Sequence, residues 1–431
     1  MNQAPAVVLL TGATGFVGKV VLAELLRRRE ALGWSRVLAL VRARDPEQAD
    51  ARLRADVVGS QCFAAQAPGF EKFLEAVPGD ITQPGLGLAP DALARVRADV
   101  THVIHCAASI EFSLPLAEAT AANATGALHA LDVARSCPRL ASLVIVSTAY
   151  VTPHAAPDSR EICRVEEKLA PLPFDPEALY PRMRAGEADA SRLLAASGHP
   201  NTYTLTKCVA EHLVARRADG LPVTLLRPSI VSASRACPLP GWIDSPAAFA
   251  GFVALIGAGR LRVVAGDLRA RLDVVPCDEV ALRIVEAAFD PPAAGALRIR
   301  HAVSGLGGAL SIGLCREGIL RHFGADAGGP ARLDYVGPRG PRFRLAHALH
   351  HELPGFGAAL GLRLRRQGRL ASALARLRER QRAVNRDFAY FTHSTFDFAS
   401  ERPLAPPLDP ADYLATVCGG VERHLLQRRR R

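Results

Sequence analysis

The sequence has none of the cysteine spacings that hold small folds together. Its nine cysteines include no CxxC pair and no cluster with histidine, which excludes a disulfide framework and a zinc site by spacing and fits a reducing compartment. No stretch reaches the roughly 18 uninterrupted apolar residues of a membrane-spanning helix. The nearest, SPAAFAGFVALIGAG (245–259), is short, broken by glycine and reads as buried. The opening residues, MNQAPAVVLLTGATG, show no secretory signal and pass from a short polar start into a strand. The expectation is a cytoplasmic protein, attached at most to a membrane surface. Basic residues are not interleaved with aromatics, so no nucleic-acid partner is expected despite a net charge of +11.

What is present is an ordinary globular balance, 49% hydrophobic and 22% charged over 431 residues, long enough for two domains. The positive excess is mostly arginine and favours anionic partners: a phosphorylated cofactor, coenzyme A or anionic lipid.

AVVLLTGATGFVGKVVLAELLRR (6–28) is an apolar run, a glycine-rich turn and an apolar pattern of helical period. That context turns Gly12, Gly15 and Gly18 into a dinucleotide-binding signal. Gly12 permits the tight turn, Gly15 lets backbone approach a pyrophosphate, and Gly18 lets helix and strand pack closely. Thr14, Phe16 and Val17 lie in the same turn, where the helix N-terminus faces the phosphates. The next strand (35–45) ends with Arg42 and Arg44 where NAD-preferring sites carry an acid, so NADPH is the expected cofactor, with Arg42 the first choice for its 2′-phosphate. Asp80 and Ile81, at a third strand end, suit an adenine edge, and Ala107 and Ala108 give backbone for a cofactor to lie on. Asn123, in the following helix, reads either as a structural hydrogen-bonding residue or as an active-site one. SLVIVSTAYV (142–151) is a strand ending in Ser147 and Thr148. Strands alternating with helices predict an α/β, Rossmann-type, doubly wound parallel sheet with ligands at the carboxyl ends of its strands.

NTYTLTKCVAEHL (201–213) then sets Tyr203 and Lys207 four apart, on one face of a helix. The order TGATGFVG, AAS, STAY, YTLTK resembles the extended short-chain dehydrogenase/reductases. RPSIV (227–231), PGWID (240–244), GDITQPGLGL, LDVVPCDEV and the serine of HAVSG narrow the resemblance to the fatty acyl-CoA reductases over about the first three hundred residues. The resemblance implies that Tyr203 donates a proton, that Lys207 lowers the tyrosine pKa and binds the nicotinamide ribose, and that Thr148 or Ser147 holds the substrate oxygen. Thr148 is favoured. Pro228 and Ile230 of the RPSIV run complete the expected cofactor contacts. Trp242 is either a core anchor or a wall of the acyl or pantetheine channel. Cys106 and Cys208 read as packing residues, and no metal is expected.

FGAALGLRLRRQGRLASALARLRERQRAVNRDF (356–388) mixes apolar residues at helical spacing with arginines. It is either a solvated face packed on the main domain or a surface for peripheral contact with an anionic membrane. The remaining residues resemble the C-terminal region of the same reductases. The expected division is a reductase domain, 1–310, with a substrate lobe at about 230–270, and a mainly helical region, 311–431. The activity implied is NADPH-dependent reduction of long-chain fatty acyl-CoA to the alcohol by way of the aldehyde. Rivals are an aldehyde-releasing or carrier-protein thioester reductase and a sugar-nucleotide or sterol-type dehydrogenase. Oligomeric state does not follow from these residues.

Overall fold

Seven parallel strands form the central sheet of the computed structural model, which describes residues 5–157, 159–353 and 368–427. They are β1 (Ala6–Thr11), β2 (Trp34–Val41), β3 (Leu74–Pro78), β4 (His102–His105), β5 (Ser142–Val146), β6 (Val223–Pro228) and β7 (Leu297–Ala302), in the order β7-β6-β5-β4-β1-β2-β3. Runs such as AVVLLT and SLVIV are almost continuously apolar because both faces of the sheet are covered. Alternate residues of β1 go to opposite sides. Val7 and Leu9 join a core with helices α2 (Gly126–Arg135) and α3 (Thr202–Arg217), while Val8 and Leu10 join one with α1 (Phe16–Arg27) and α4 (Cys277–Phe289). The strand order reverses between β1 and β4, which opens a crevice at their carboxyl ends. This is the doubly wound architecture that the sequence pattern predicts.

A second lobe is stitched from short strand pairs. Ile230–Ser232 pairs with Val274–Pro276, Arg271–Leu272 with Leu310–Ser311, Val263–Ala265 with Tyr335–Gly337, and Ile162–Val165 with Thr395–Phe398. One hydrophobic cluster runs from Ala149 through Phe249 and Leu310 to Val421. Residue 310, the expected boundary, lies in the Arg271–Leu272/Leu310–Ser311 pair, and this cluster draws on residues from both sides of it. Buried Asp273 ties this lobe to the sheet, accepting from Ser229 Oγ at 2.5 Å, Ser304 Oγ at 2.8 Å and the Ser304 and Gly305 N–H groups at 2.9 Å. The LDVVPCDEV and HAVSG segments meet at this carboxylate.

Of the basic stretch 356–388, residues 354–367 lie outside the described residues, as does the terminal arginine run. Gly368–Asp387 is a helix, α5, and two of its arginines, Arg378 and Arg382, are paired with Glu352. Among the described residues no helix is long and apolar enough to cross a membrane.

Candidate active site

At the end of β1 the chain turns on Gly12, whose φ of +75° suits glycine; a side chain there would press on the Ala107 backbone, 2.8 Å from its nitrogen. Thr11 Oγ1 accepts from that same Ala107 N–H at 3.2 Å, so the ends of β1 and β4 are held together. A Cβ on Gly18 would collide with the Gly12 carbonyl oxygen, and Gly15 caps α1 with no side-chain hydrogen bond. The first turn of α1 carries no acid. Its first-turn N–H groups therefore have no acid of that turn beside them, and Thr14, Phe16 and Val17 are partly exposed above the buried strand. This cradle fits the phosphates of a dinucleotide.

PGWID lies directly on the turn. Trp242 is 1% exposed and stacks on Phe16 with centroids 5.7 Å apart, while Asp244 pairs with Lys19. Trp242 thus braces the glycine turn from the core side, deciding between the two readings its sequence left open.

Arg42, 72% exposed at the end of β2, stands 3.7 Å from the Asp80 carboxylate. Asp80 also accepts from Thr82 N and Oγ1 at 2.9 and 2.8 Å, while its own N–H donates to the Leu86 carbonyl and its carbonyl accepts from the Gln83 N–H, so side chain and backbone together close a turn. Ile81 is buried against Gly126 of α2. Arg44 is exposed, and its own N–H bonds Gln48 at 3.0 Å. Ala108 is exposed past β4. Pro228 and Ile230 flank the crossing from β6 into the second lobe, and the Ile230 N–H is committed to Asp273.

α3 begins at Thr202, with Asn201 accepting from the Thr204 N–H, and brings Tyr203 and Lys207 beneath the end of β5. The Tyr203 phenol shares a hydrogen bond with Thr148, and burial pushes its pKa up to about 12 against that bond. Burial also lowers Lys207 to about 8, while Glu211 and Cys106 oppose the shift. The Lys207 ammonium donates to the Val146 carbonyl at 2.9 Å. Ser147, one residue before Thr148, lies on a different cavity beneath Lys207, and its buried Oγ has no partner among the described residues. Thr148 and Tyr203 are thus together and Ser147 is apart.

Asn123 is a clamp. It accepts from Ser109 N–H at 3.0 Å and donates to Thr206 Oγ1 at 3.1 Å, joining the loop after β4 to α3. It sits in a π-turn, Ala121–Thr125, where one extra residue aims the amide across. Cys208 is buried and Cys106 half-buried, with both thiols pushed up to about 12 by desolvation, which suits packing rather than nucleophilic attack.

The wall on the other side of Tyr203 is assembled from residues far apart in sequence. Phe112 lies 5.8 Å from the Tyr203 ring and 5.8 Å from Phe391, and Phe391 meets Tyr150 edge-on at 4.9 Å. Phe396 and Phe398 close on Tyr150 from the next strand, each at 5.2 Å. A cleft of about 300 Å³ opens beside Phe112, lined also by Leu114, Leu194, Thr202, Arg386 and Tyr390. The C-terminal segment therefore forms part of the site. Its only hint was an unusual density of aromatics in DFAYFTHSTFDF (387–398).

Residues 10–284 match the family model described as Male sterility protein, an NAD-binding family. The chain is 32% identical over 289 residues to fatty acyl-CoA reductase wat of Drosophila melanogaster, covering 66% of this chain and 54% of that protein. It is 34% identical over 289 residues to fatty acyl-CoA reductase 1 of Homo sapiens, covering 65% and 54%. The chain thus spans about half the length of the curated relatives it matches. Among solved structures, the terminal R domain from the myxalamid PKS-NRPS biosynthetic pathway aligns with a TM-score of 0.66 at 22% identity, over 98% of this chain and 92% of that one. The reductase (R) domain of a nonribosomal peptide synthetase from Mycobacterium tuberculosis aligns at 0.60 and 20%, over 98% and 92%. At these identities the likeness shows the fold.

Proposed function

The chain belongs to the male sterility protein family, an NAD-binding family, and on that premise we propose that it is an NADPH-dependent reductase of long-chain fatty acyl-CoA, forming the alcohol by way of the aldehyde. The observation that carries this reading is the hydrogen-bonded Thr148–Tyr203 pair at the end of β5, with Lys207 one turn along α3. A dinucleotide held by the Gly12–Gly18 turn supplies the reducing equivalents. The Arg42 guanidinium, exposed at the end of β2, supports the choice of NADPH, since a planar fork suits a 2′-phosphate.

A phenol held near 12 stays protonated at neutral pH, so Tyr203 is equipped as an acid. With the Thr148 hydroxyl beside it, the two would flank a thioester carbonyl oxygen, which gains negative charge during reduction. Donors fixed in a low-dielectric setting stabilise that charge without reorganising. Tyr203 then gives up its proton, and the Lys207 cation compensates the tyrosinate left behind. The hemithioacetal collapses to aldehyde and free coenzyme A thiol; a second reduction at the same carbon gives the alcohol. The aromatic wall of Phe112, Tyr150 and Phe391 suits an acyl chain and keeps water from the reacting carbon.

The test is to incubate the pure chain with palmitoyl-CoA and NADPH while following NADPH oxidation and free thiol together. Two NADPH consumed per thiol released is the expected result, and one per thiol would make the product the aldehyde. Turnover on a carrier-bound thioester with none on any acyl-CoA would overturn the substrate assignment.

A further inference from the structure

Below Lys207 the active-site helix carries a second charged side chain that the proposed chemistry does not use. Glu211 is one turn further along α3 and 2% exposed, and Arg227, on β6, is fully buried. The guanidinium grips both carboxylate oxygens, with Nε at 2.9 and 3.2 Å and Nη2 at 2.5 Å. Such a pair, far from water, costs much desolvation and is often replaceable by apolar side chains without loss of stability. Its place under the lysine suggests another use. A water-sized cavity of about 10 Å³ has Lys207, Glu211, Ser147 and Asn123 in a lining otherwise made of aliphatic residues, so the two charged residues of α3 flank one buried void with little else polar around it.

We infer that Glu211 is a positioning residue that keeps Lys207 charged in its buried seat, and that Arg227 holds the Glu211 carboxylate at the distance that does so. The inference rests on the role given to Lys207 above. The groups around the ammonium leave Glu211 as its only counter-charge among the described residues. From β4 and the residue after it, His105, lowered by burial to about 3, and Cys106, raised to about 12, are neutral near pH 7. On α3 itself Tyr203 is a neutral phenol. β5 offers only the Val146 carbonyl and the Ser147 hydroxyl. From β6 comes Arg227, a cation whose fork is turned onto Glu211. Burial pulls Lys207 toward its neutral form, and Glu211 is the largest influence opposing it. A neutral amine could not compensate a tyrosinate at Tyr203.

The chain contains four lysines, Lys19, Lys72, Lys168 and Lys207, so a carbon-13 lysine label gives a short, assignable NMR spectrum in the full-length protein. Lys207→Arg identifies the signal. In Glu211→Gln the titration midpoint of Lys207 should fall by about one pH unit, the effect expected when a neighbouring opposite charge is removed. The alkaline limb of palmitoyl-CoA reduction should move to lower pH by the same amount, with NADPH affinity unchanged. An unmoved or raised midpoint overturns the inference, since a purely structural carboxylate would leave it in place. If Glu211→Gln does not fold, the combined Glu211→Leu and Arg227→Leu variant removes the anion without stranding a charge, and a smaller fall in the same direction is expected because the Arg227 cation leaves with it. Absence of any acyl-CoA reduction by the unmodified chain would sink the proposed function, while the NMR titration would still decide the role of Glu211.

Discussion

On the β1 side of the crevice the surface offered to a ligand is backbone: the turn at Gly12, the uncapped start of α1 and the Ala107 N–H tied to Thr11. Across Tyr203 it is side chain, with Phe112, Tyr150 and Phe391 drawn from three segments far apart in sequence. The backbone half is mostly local, made by the consecutive residues of β1, the glycine turn and the start of α1, with the end of β4 tied on through Ala107. The side-chain half exists only once the last quarter of the chain has packed against the second. Each half should therefore fail in its own way. The sharpest test of where they meet is Tyr203→Phe, which removes one hydroxyl and almost no volume. It should lower kcat by about a thousandfold, within the range for a general acid, and leave NADPH binding intact. Retained turnover would end the role of the phenol.

The side-chain half should break next most severely. Phe391→Ala deletes a ring that is 4% exposed and touches Phe112 and Tyr150, so a loss of about 3 kcal/mol is expected from urea unfolding. KM for the acyl substrate should rise in whatever fraction stays folded. NADPH affinity should not change; if it fell in parallel, the two halves would be one coupled unit and the contrast between them would be lost. The converse variant is Gly18→Ala, whose methyl group would meet the Gly12 carbonyl oxygen. It should weaken NADPH binding by about a hundredfold, or about 2.7 kcal/mol, read by fluorescence titration, while the acyl-binding wall stays in place.

The same division explains what was legible in the sequence. Strand alternation, the glycine turn and the Tyr203–Lys207 spacing depend on neighbours within a few residues, and each is found where its pattern placed it. Asn123 was half legible: its chemistry was plain, yet whether it faced a ligand or another loop depended on Ser109 and Thr206, which sequence does not put together. PGWID stood out as a segment, but its purpose was hidden because Trp242 and Asp244 act on Phe16 and Lys19 from more than two hundred residues away. The aromatic wall was hidden for the same reason. Glu211 was visible at the helical spacing after Lys207, in YTLTKCVAE, but a glutamate there is normally a solvated surface residue, and only the folded chain shows it buried beneath β6.

pH should separate the two halves further. Lys207, lowered by burial to about 8, is cationic below that value and loses its proton above it, so turnover that needs the cation should fall as pH rises through 8. Tyr203, near 12, stays protonated throughout this range and contributes no limb of its own. Cofactor binding at the glycine turn involves neither group's proton at its phosphates. A pH–kcat profile falling above 8, beside a flat profile for NADPH binding at the turn, is the expected pair of measurements. A kcat that holds level to pH 9.5 would mean that the Lys207 charge is not required.

The smallest effect expected is at Arg42. Its guanidinium is exposed and 3.7 Å from Asp80, whose carboxylate is already occupied by the Thr82 N–H and hydroxyl. That loose pairing leaves the fork free to turn toward a 2′-phosphate, where charge-assisted bonds are worth more than an exposed pair in solvent. Arg42→Ala should cost NADPH about tenfold in affinity and NADH almost nothing. Arg44→Ala should cost less, since nothing in the fold aims that side chain at the end of β2. Equal losses for the two cofactors would move Arg42 from phosphate recognition to maintenance of the Asp80 turn, and the preference for NADPH would then have to come from the backbone half alone.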